Sequence, residues 1–128
     1  MIAGTVTANR EAVIRLTVQG PARRKQGIDV VIDTGFDGWP SLPPALIALL
    51  GLPWRRRGRA ILADGSDTLF DIYEATVLWD GRPRRIPVDE AAAAPLAGMA
   101  LLSGYELRVQ VRPRGKVTIK PLPAAGTL

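Results

Sequence analysis

The chain has 128 residues, 47% hydrophobic and 23% charged, which is the composition of one globular domain, and it carries a formal net charge of +5. It contains neither cysteine nor histidine. That excludes disulfides, thiol nucleophiles, Ser-His-Asp triads and nearly every structural zinc site, and leaves carboxylates, hydroxyls, amines and backbone for any chemistry.

From the N-terminus, Met1 to Arg10 lacks a basic start followed by a long apolar core, so no secretory signal is visible and a cytoplasmic protein is expected. Ile14, Leu16 and Val18 alternate with Arg15 and Thr17 in the pattern of a half-buried strand. Ile28-Asp29-Val30-Val31-Ile32 is a second β-prone run and leads straight into Asp33-Thr34-Gly35-Phe36-Asp37-Gly38. Pro43 to Leu50 reads as a helix, with prolines suited to its first turn and Gly51 as its stop. Asp64-Gly65 and Asp80-Gly81 are two-residue turn signals of the kind needing positive φ, and Pro113-Arg114-Gly115 marks a third hairpin. Between the first two turns, Thr68 to Trp79 puts Leu69, Tyr73, Ala75 and Val77 on one face of a strand and Phe70, Ile72 and Leu78 on the other.

Ala91 to Ala94 fits either a helical turn or a loose connection, and Met99 to Leu102 reads as a short helix. Leu107, Val109 and Val111 alternate with Glu106, Arg108 and Gln110 as a late strand. Residues 1–120 form the expected domain, and the tail 121–128 is too poor in patterned apolar surface to order itself. The apolar stretches Leu42 to Trp54 and Ala91 to Leu102 are interrupted by prolines and fall short of the roughly 18 residues a spanning helix needs, so no membrane partner is expected. Many short strands with frequent turns indicate an all-β domain, a small barrel or sandwich, with one or two short helices.

Four basic clusters, around Arg23, Arg55 to Arg59, Arg82 to Arg85 and Arg112 to Arg114, raise the question of nucleic acid. Each sits beside Pro or Gly, where loops are expected, and only Trp54 adjoins one as a stacking platform. Solvated loop charge is therefore favoured over a nucleic-acid surface, which needs its charge gathered on one face.

The chemistry-bearing segment is Asp33-Thr34-Gly35. A strand running into it places a carboxylate at the end of a buried element, and Gly35 allows a sharp turn with main-chain amides near that carboxylate. The tripeptide alone can equally be an Asx turn closing a strand. Its setting adds more. Ile32 to Gly38, the Leu-Pro and Leu-Gly-Leu punctuation around the helix, and Leu96-Ala97-Gly98-Met99-Ala100-Leu101-Leu102 resemble the retropepsin-like aspartic proteases, in particular a small bacterial branch with an Asp-Thr-Gly-Phe motif.

The resemblance covers about Gly4 to Ile119 and implies a small closed barrel of the acid-protease type. It implies that Asp33 is the catalytic aspartate, that Thr34 braces a dyad across a twofold axis, and that Gly35 bonds substrate backbone. Gly98 becomes the glycine of the second-half motif, and Ala63, Asp64, Gly65 and Ser66 the tip of a flap, with Ser66 a polar handle near the cleft. Asp37 stands where bacterial relatives usually carry Thr or Ser. Met99 replaces the arginine that pairs with such an Asp in the retroviral pattern, which leaves Asp37 either to pair with a loop arginine or to be a surface turn residue. The implied activity is aspartic-type endopeptidase, a homodimer acting on a peptide or protein with no metal and no other cofactor. Two rivals stand beside it: an inactive dimerisation or peptide-binding module on the same fold, and a basic β-barrel that binds nucleic acid.

Overall fold

The structure, a computed structural model, describes residues 1–124. In chain order its elements are β1 (Ile2–Val6), β2 (Ala12–Gln19), β3 (Lys25–Ile32), β4 (Pro40–Leu42), α1 (Pro44–Leu50), β5 (Trp54–Ile61), β6 (Asp67–Trp79), β7 (Arg82–Glu90), β8 (Leu96–Ala97), α2 (Met99–Leu102), β9 (Tyr105–Val109) and β10 (Lys116–Pro121). The strands form one sheet in the order β5-β6-β7-β4-β8-β3-β2-β1-β10-β9, and a further β6–β2 pairing closes its middle into a ring. The expected barrel is this ring, from which the β5–β6 hairpin projects on one side and the β1-β10-β9 layer on the other.

β2 makes the ring possible. One of its edges is occupied by β3 from Val13 to Gln19, while the other is divided between β1 at Ala12 to Ile14 and β6 at Thr17 to Gln19. Its alternation holds as expected: Ile14, Leu16 and Val18 are buried in a core with Val30, Leu42, Val77, Val88 and Leu101. α1 packs Ile47 and Leu50 onto this core, begins at Pro43-Pro44 and ends where Gly51 turns left-handed (φ 61°) and donates its N–H to the Ala48 carbonyl. Asp80 and Gly81 both take positive φ in the tight turn joining Trp79 to Arg82, as the turn signal requires. No helix among the described residues is long and apolar enough to cross a membrane.

Several expectations are corrected. The face of β6 changes along its length: Ala75, Val77 and Trp79 are buried, but so is Ile72 from the opposite set, while Leu69 and Leu78 are exposed. The strand is longer than the ring, so its first half leaves the ring and pairs with β5 in a separate hairpin, where a register shift between Trp54 and Arg56 adds twist. Two of the basic clusters lie in strands and not in loops, Arg55 to Arg59 in β5 and Arg82 to Arg85 in β7. β9 stops at Val109 and Val111 is exposed, because the turn through Arg114 (φ 63°) leaves the ladder there. Ala91 to Ala94 is a connection without a helical turn. Pro121 pairs with Tyr105 at the end of β10; of the tail expected from 121, residues 125–128 lie outside the described residues.

Because β2 joins three strands, truncating its centre should loosen the whole ring. Leu16→Ala is expected to lower the unfolding free energy by about 2–5 kcal/mol, measured by urea denaturation.

Candidate active site

β3 delivers Asp33 to the surface. Val31 and Ile32 pair in parallel with Leu96 and Ala97 of β8, and the Asp33 N–H donates to the Ala97 carbonyl at 2.9 Å, so the carboxylate emerges from a strand fixed on both sides. The side chain is half-buried, and its Oδ1 accepts the Gly35 N–H at 2.9 Å. The Asp33 carbonyl accepts from Phe36 N–H at 3.1 Å, closing the turn. An Asx turn is therefore present, and it is what aims the carboxylate. Thr34 and Gly35 are exposed beside it.

The segment entering α2 supports this loop from below. Met99 N–H donates to the Phe36 carbonyl at 2.8 Å and Ala100 N–H to the Gly38 carbonyl at 3.0 Å. Gly98 lies so close beneath that a Cβ there would sit 2.3 Å from the Gly38 carbonyl oxygen and 2.7 Å from the Phe36 ring. A Cβ on Gly38 would meet the same ring at 2.7 Å. The two glycines make room for one phenylalanine, which explains Gly98 and gives Phe36 a packing role.

Over the loop hangs the β5–β6 hairpin. Its tip is a β-turn closed by Gly65 N–H to the Leu62 carbonyl (2.9 Å), followed by Gly65 at φ 85° and a Leu62 N–H to Ser66 carbonyl bond. Only Gly65 is left-handed, so the expected two-residue turn is replaced by a three-residue one with a bulge. Ser66 is not turned to the cleft as a free handle: its backbone N–H and hydroxyl both donate to Asp64 Oδ1, at 2.9 and 2.6 Å. Those bonds, the hydroxyl first, hold the Asp64 carboxyl below its ordinary range.

Between hairpin and loop lies a cleft of about 630 Å³, walled by Phe36, Asp37, Gly38, Phe70, Asp89 and Leu96. The arms of the hairpin, not the tip Ala63 to Ser66, line it. Asp89 and the neighbouring Ser41 are paired across β7 and β4 and were invisible in the sequence, since neither belongs to a motif. Burial pushes the Asp89 carboxyl above its ordinary value; Arg56 opposes this and Asp37 adds to it. Asp37 is exposed, lines the cleft and has no ion pair among the described residues. Three of the four arginines of β5 are engaged elsewhere: Arg55 with Glu74, Arg57 with Asp71 at 3.5 Å and Arg59 with Asp67 at 3.7 Å. Trp54, the proposed stacking platform, donates its indole N–H to Asp71 at 3.0 Å.

No family model matches the chain, and no curated protein does. Solved structures do. The EIAV protease in complex with an inhibitor superposes with a TM-score of 0.56 at 18% identity, over 77% of this chain and 90% of that one. A retropepsin-like aspartic protease from Rickettsia conorii superposes with a TM-score of 0.59 at 14% identity, over 95% of this chain and 91% of that one. The chain has the retropepsin-like fold.

Two outcomes are expected. Gly98→Ala forces the Gly38 carbonyl or the Phe36 ring to move, and should lower the melting temperature by several degrees and shift the amide resonances of residues 33–38 more than those of β9. For Asp89, a carboxyl raised in the folded state favours folding when protonated and opposes it once ionised. Asp89→Asn should therefore be more stable than the parent at pH 7, with the gain shrinking as pH falls towards 3.8, the ordinary aspartate value. Thermal melts across pH 3 to 7 measure it.

Proposed function

We propose that this protein is an aspartic endopeptidase whose active site is completed by a second copy of itself. The observation that carries the reading is the Asp33 carboxylate: aimed by an Asx turn, supported by backbone from β8 and α2, and carried on a loop whose Phe36, Asp37 and Gly38 line an open cleft beneath a hairpin. A fold shared with two aspartic proteases supports it.

Hydrolysis of an amide by carboxylates needs one ionised group to take a proton from water and one protonated group to donate to the carbonyl oxygen. Among the described residues, the hydrogen bond to the Asp33 carboxylate comes from backbone, and none comes from a second carboxyl group. A twofold axis supplies it, by bringing the same loop from two protomers together; two carboxylates at that distance share a single proton, as is general for aspartic proteases. Water attacks the carbonyl carbon, the tetrahedral adduct collapses with protonation of the leaving nitrogen, and the acid and base exchange roles. The two titrations belong to the pair. Thr34 would brace the dyad, Gly35 would meet substrate backbone, and Asp37 would contact substrate from the floor of the cleft. An extended peptide fits beneath the hairpin, where strand-like hydrogen bonds can form along it.

The engaged arginines of β5 weigh against the nucleic-acid rival, because a cation already paired with a carboxylate of the adjoining strand offers little to phosphate.

Asp33→Asn should abolish cleavage of a peptide library while circular dichroism and dimer content stay at parent values, and Asp37→Asn should lose far less. Equal cleavage by the parent and Asp33→Asn would sink the assignment, and no cleavage by the parent would favour the binding-module rival. Gly65→Val, which forces a branched side chain into a left-handed turn, should reduce turnover with little effect on association if this hairpin is the flap. Steady-state kinetics with sedimentation of the same variant decides between that and a merely distal hairpin.

A further inference from the structure

The cleft beside the Asp33 loop carries charge of one sign without partners. Asp37, Asp89 and Glu90 all border it, and none of them forms an ion pair among the described residues. The chain as a whole has a net charge of +5, so cations are not scarce. The arginine that reaches this cleft from the hairpin, Arg59, is paired with Asp67 at 3.7 Å. Burial raises the Asp89 carboxyl, Arg56 opposes this and Asp37 reinforces it, so a further cation beside Asp89 would stabilise its charged form.

Asp89 is fixed close to the loop. A Cβ on Gly38 would lie 3.6 Å from its Oδ2, and in the parallel β4–β7 pair it stands beside Ser41. Ser41 is 5% exposed, the one buried polar residue among the described residues, and its hydroxyl has no hydrogen-bond partner among them. It lines the same cleft. A buried hydroxyl without a partner is unfavourable, and a ligand group that reaches it removes the penalty. Phe36, Phe70 and Leu96 supply apolar lining nearby. The carboxylates are spread along the wall, and no three acidic side chains among the described residues gather closely enough to hold a metal ion. Such a lining fits a long side chain whose methylene stem packs on apolar surface while its charged head meets carboxylate and hydroxyl.

We propose that this part of the cleft is a specificity subsite for a lysine or arginine side chain of the substrate. Asp89 is its counter-charge, Asp37 adds to the negative potential, and the Ser41 hydroxyl accepts one of the cation's N–H donors. The proposal rests on the endopeptidase reading for its role in cleavage, whereas binding alone reports on the subsite. An ammonium or guanidinium group suits the place because it brings several donors at once: one direction meets the Asp89 carboxylate and another meets Ser41, which no neutral side chain of the same length can do. A substrate carboxylate, by contrast, would face Asp37 and Asp89 with like charge.

The test uses two readouts on the full chain, cleavage by the parent and binding by Asp33→Asn, which holds a peptide uncut. Octapeptides randomised at every position should be enriched in lysine or arginine at one position, both among those cut and among those retained. Norleucine in place of that lysine keeps the stem and removes the charge, and should lower kcat/KM and raise the dissociation constant at least about tenfold. Adding Asp89→Asn should reduce the lysine-to-norleucine ratio to within about threefold, and Ser41→Ala should reduce it by a smaller factor, with thermal melts checking that each variant is folded. No enrichment of cations at any position, or an undiminished ratio in Asp89→Asn, would overturn the subsite. Enrichment of aspartate or glutamate would also overturn it, and would assign the wall to Arg59. Lysine-selective binding with no cleavage would leave the subsite standing and end the endopeptidase reading, whereas cleavage without a cation preference would do the reverse. A protein that neither cuts nor binds any of these peptides ends both.

Discussion

The backbone contact between Gly98 and the loop above it is the constraint on which the site depends. Three main-chain bonds tie residues 33–38 to residues 97–100, and they form only because position 98 has no side chain. Backbone amides already fixed in strands hold a short carboxylate side chain in place more firmly than long side chains could. The loop is exposed to solvent, yet its geometry is inherited from the parallel β3–β8 pair in the interior. Phe36 completes the arrangement by filling the space that Gly38 and Gly98 leave open.

The hairpin over the cleft is held in another way. Its arms are mostly exposed, and cross-strand ion pairs between β5 arginines and β6 carboxylates replace the apolar packing found in the ring. Exposed ion pairs contribute little stability each, typically ~1 kcal/mol or less. The hairpin is therefore held less firmly than the packed strands of the ring. Asp89 sits at the root of the same hairpin, paired with Ile72, so the cleft wall and the hairpin arm share one cross-strand contact.

Much of this was readable from residues alone. Ile14, Leu16 and Val18 showed β2 because one face is buried along the strand; Asp80-Gly81 showed its turn because that backbone takes positive φ at both places; Asp33 to Gly38 stood out as a strand running into a turn, and Gly98 only through the resemblance of Leu96 to Leu102 to a family motif. β5 escaped, since Trp-Arg-Arg-Arg-Gly-Arg has no apolar alternation and is a strand only because β6 extends beyond the ring to pair with it. The face of β6 was misread for the same reason: periodicity cannot show where a strand leaves one layer and joins another. Asp89 and Ser41 became part of the cleft through a parallel pairing of strands distant in sequence, for which no local pattern exists.

The threading of Gly98 beneath residues 33–38 also bears on how the molecule comes into being. Gly38 and Gly98 are about sixty residues apart, and the parallel β3–β8 pair that frames them needs both halves of the chain, so the entropy of closing that loop must be met before any of its contacts are gained. Local hairpins such as β6–β7 can form early, whereas the Asp33 loop receives its support among the last contacts. Until that pairing forms, the Asx turn at Asp33 stands without the backbone bonds that position it, so the one local motif of the chain acquires its geometry from the slowest part of the assembly.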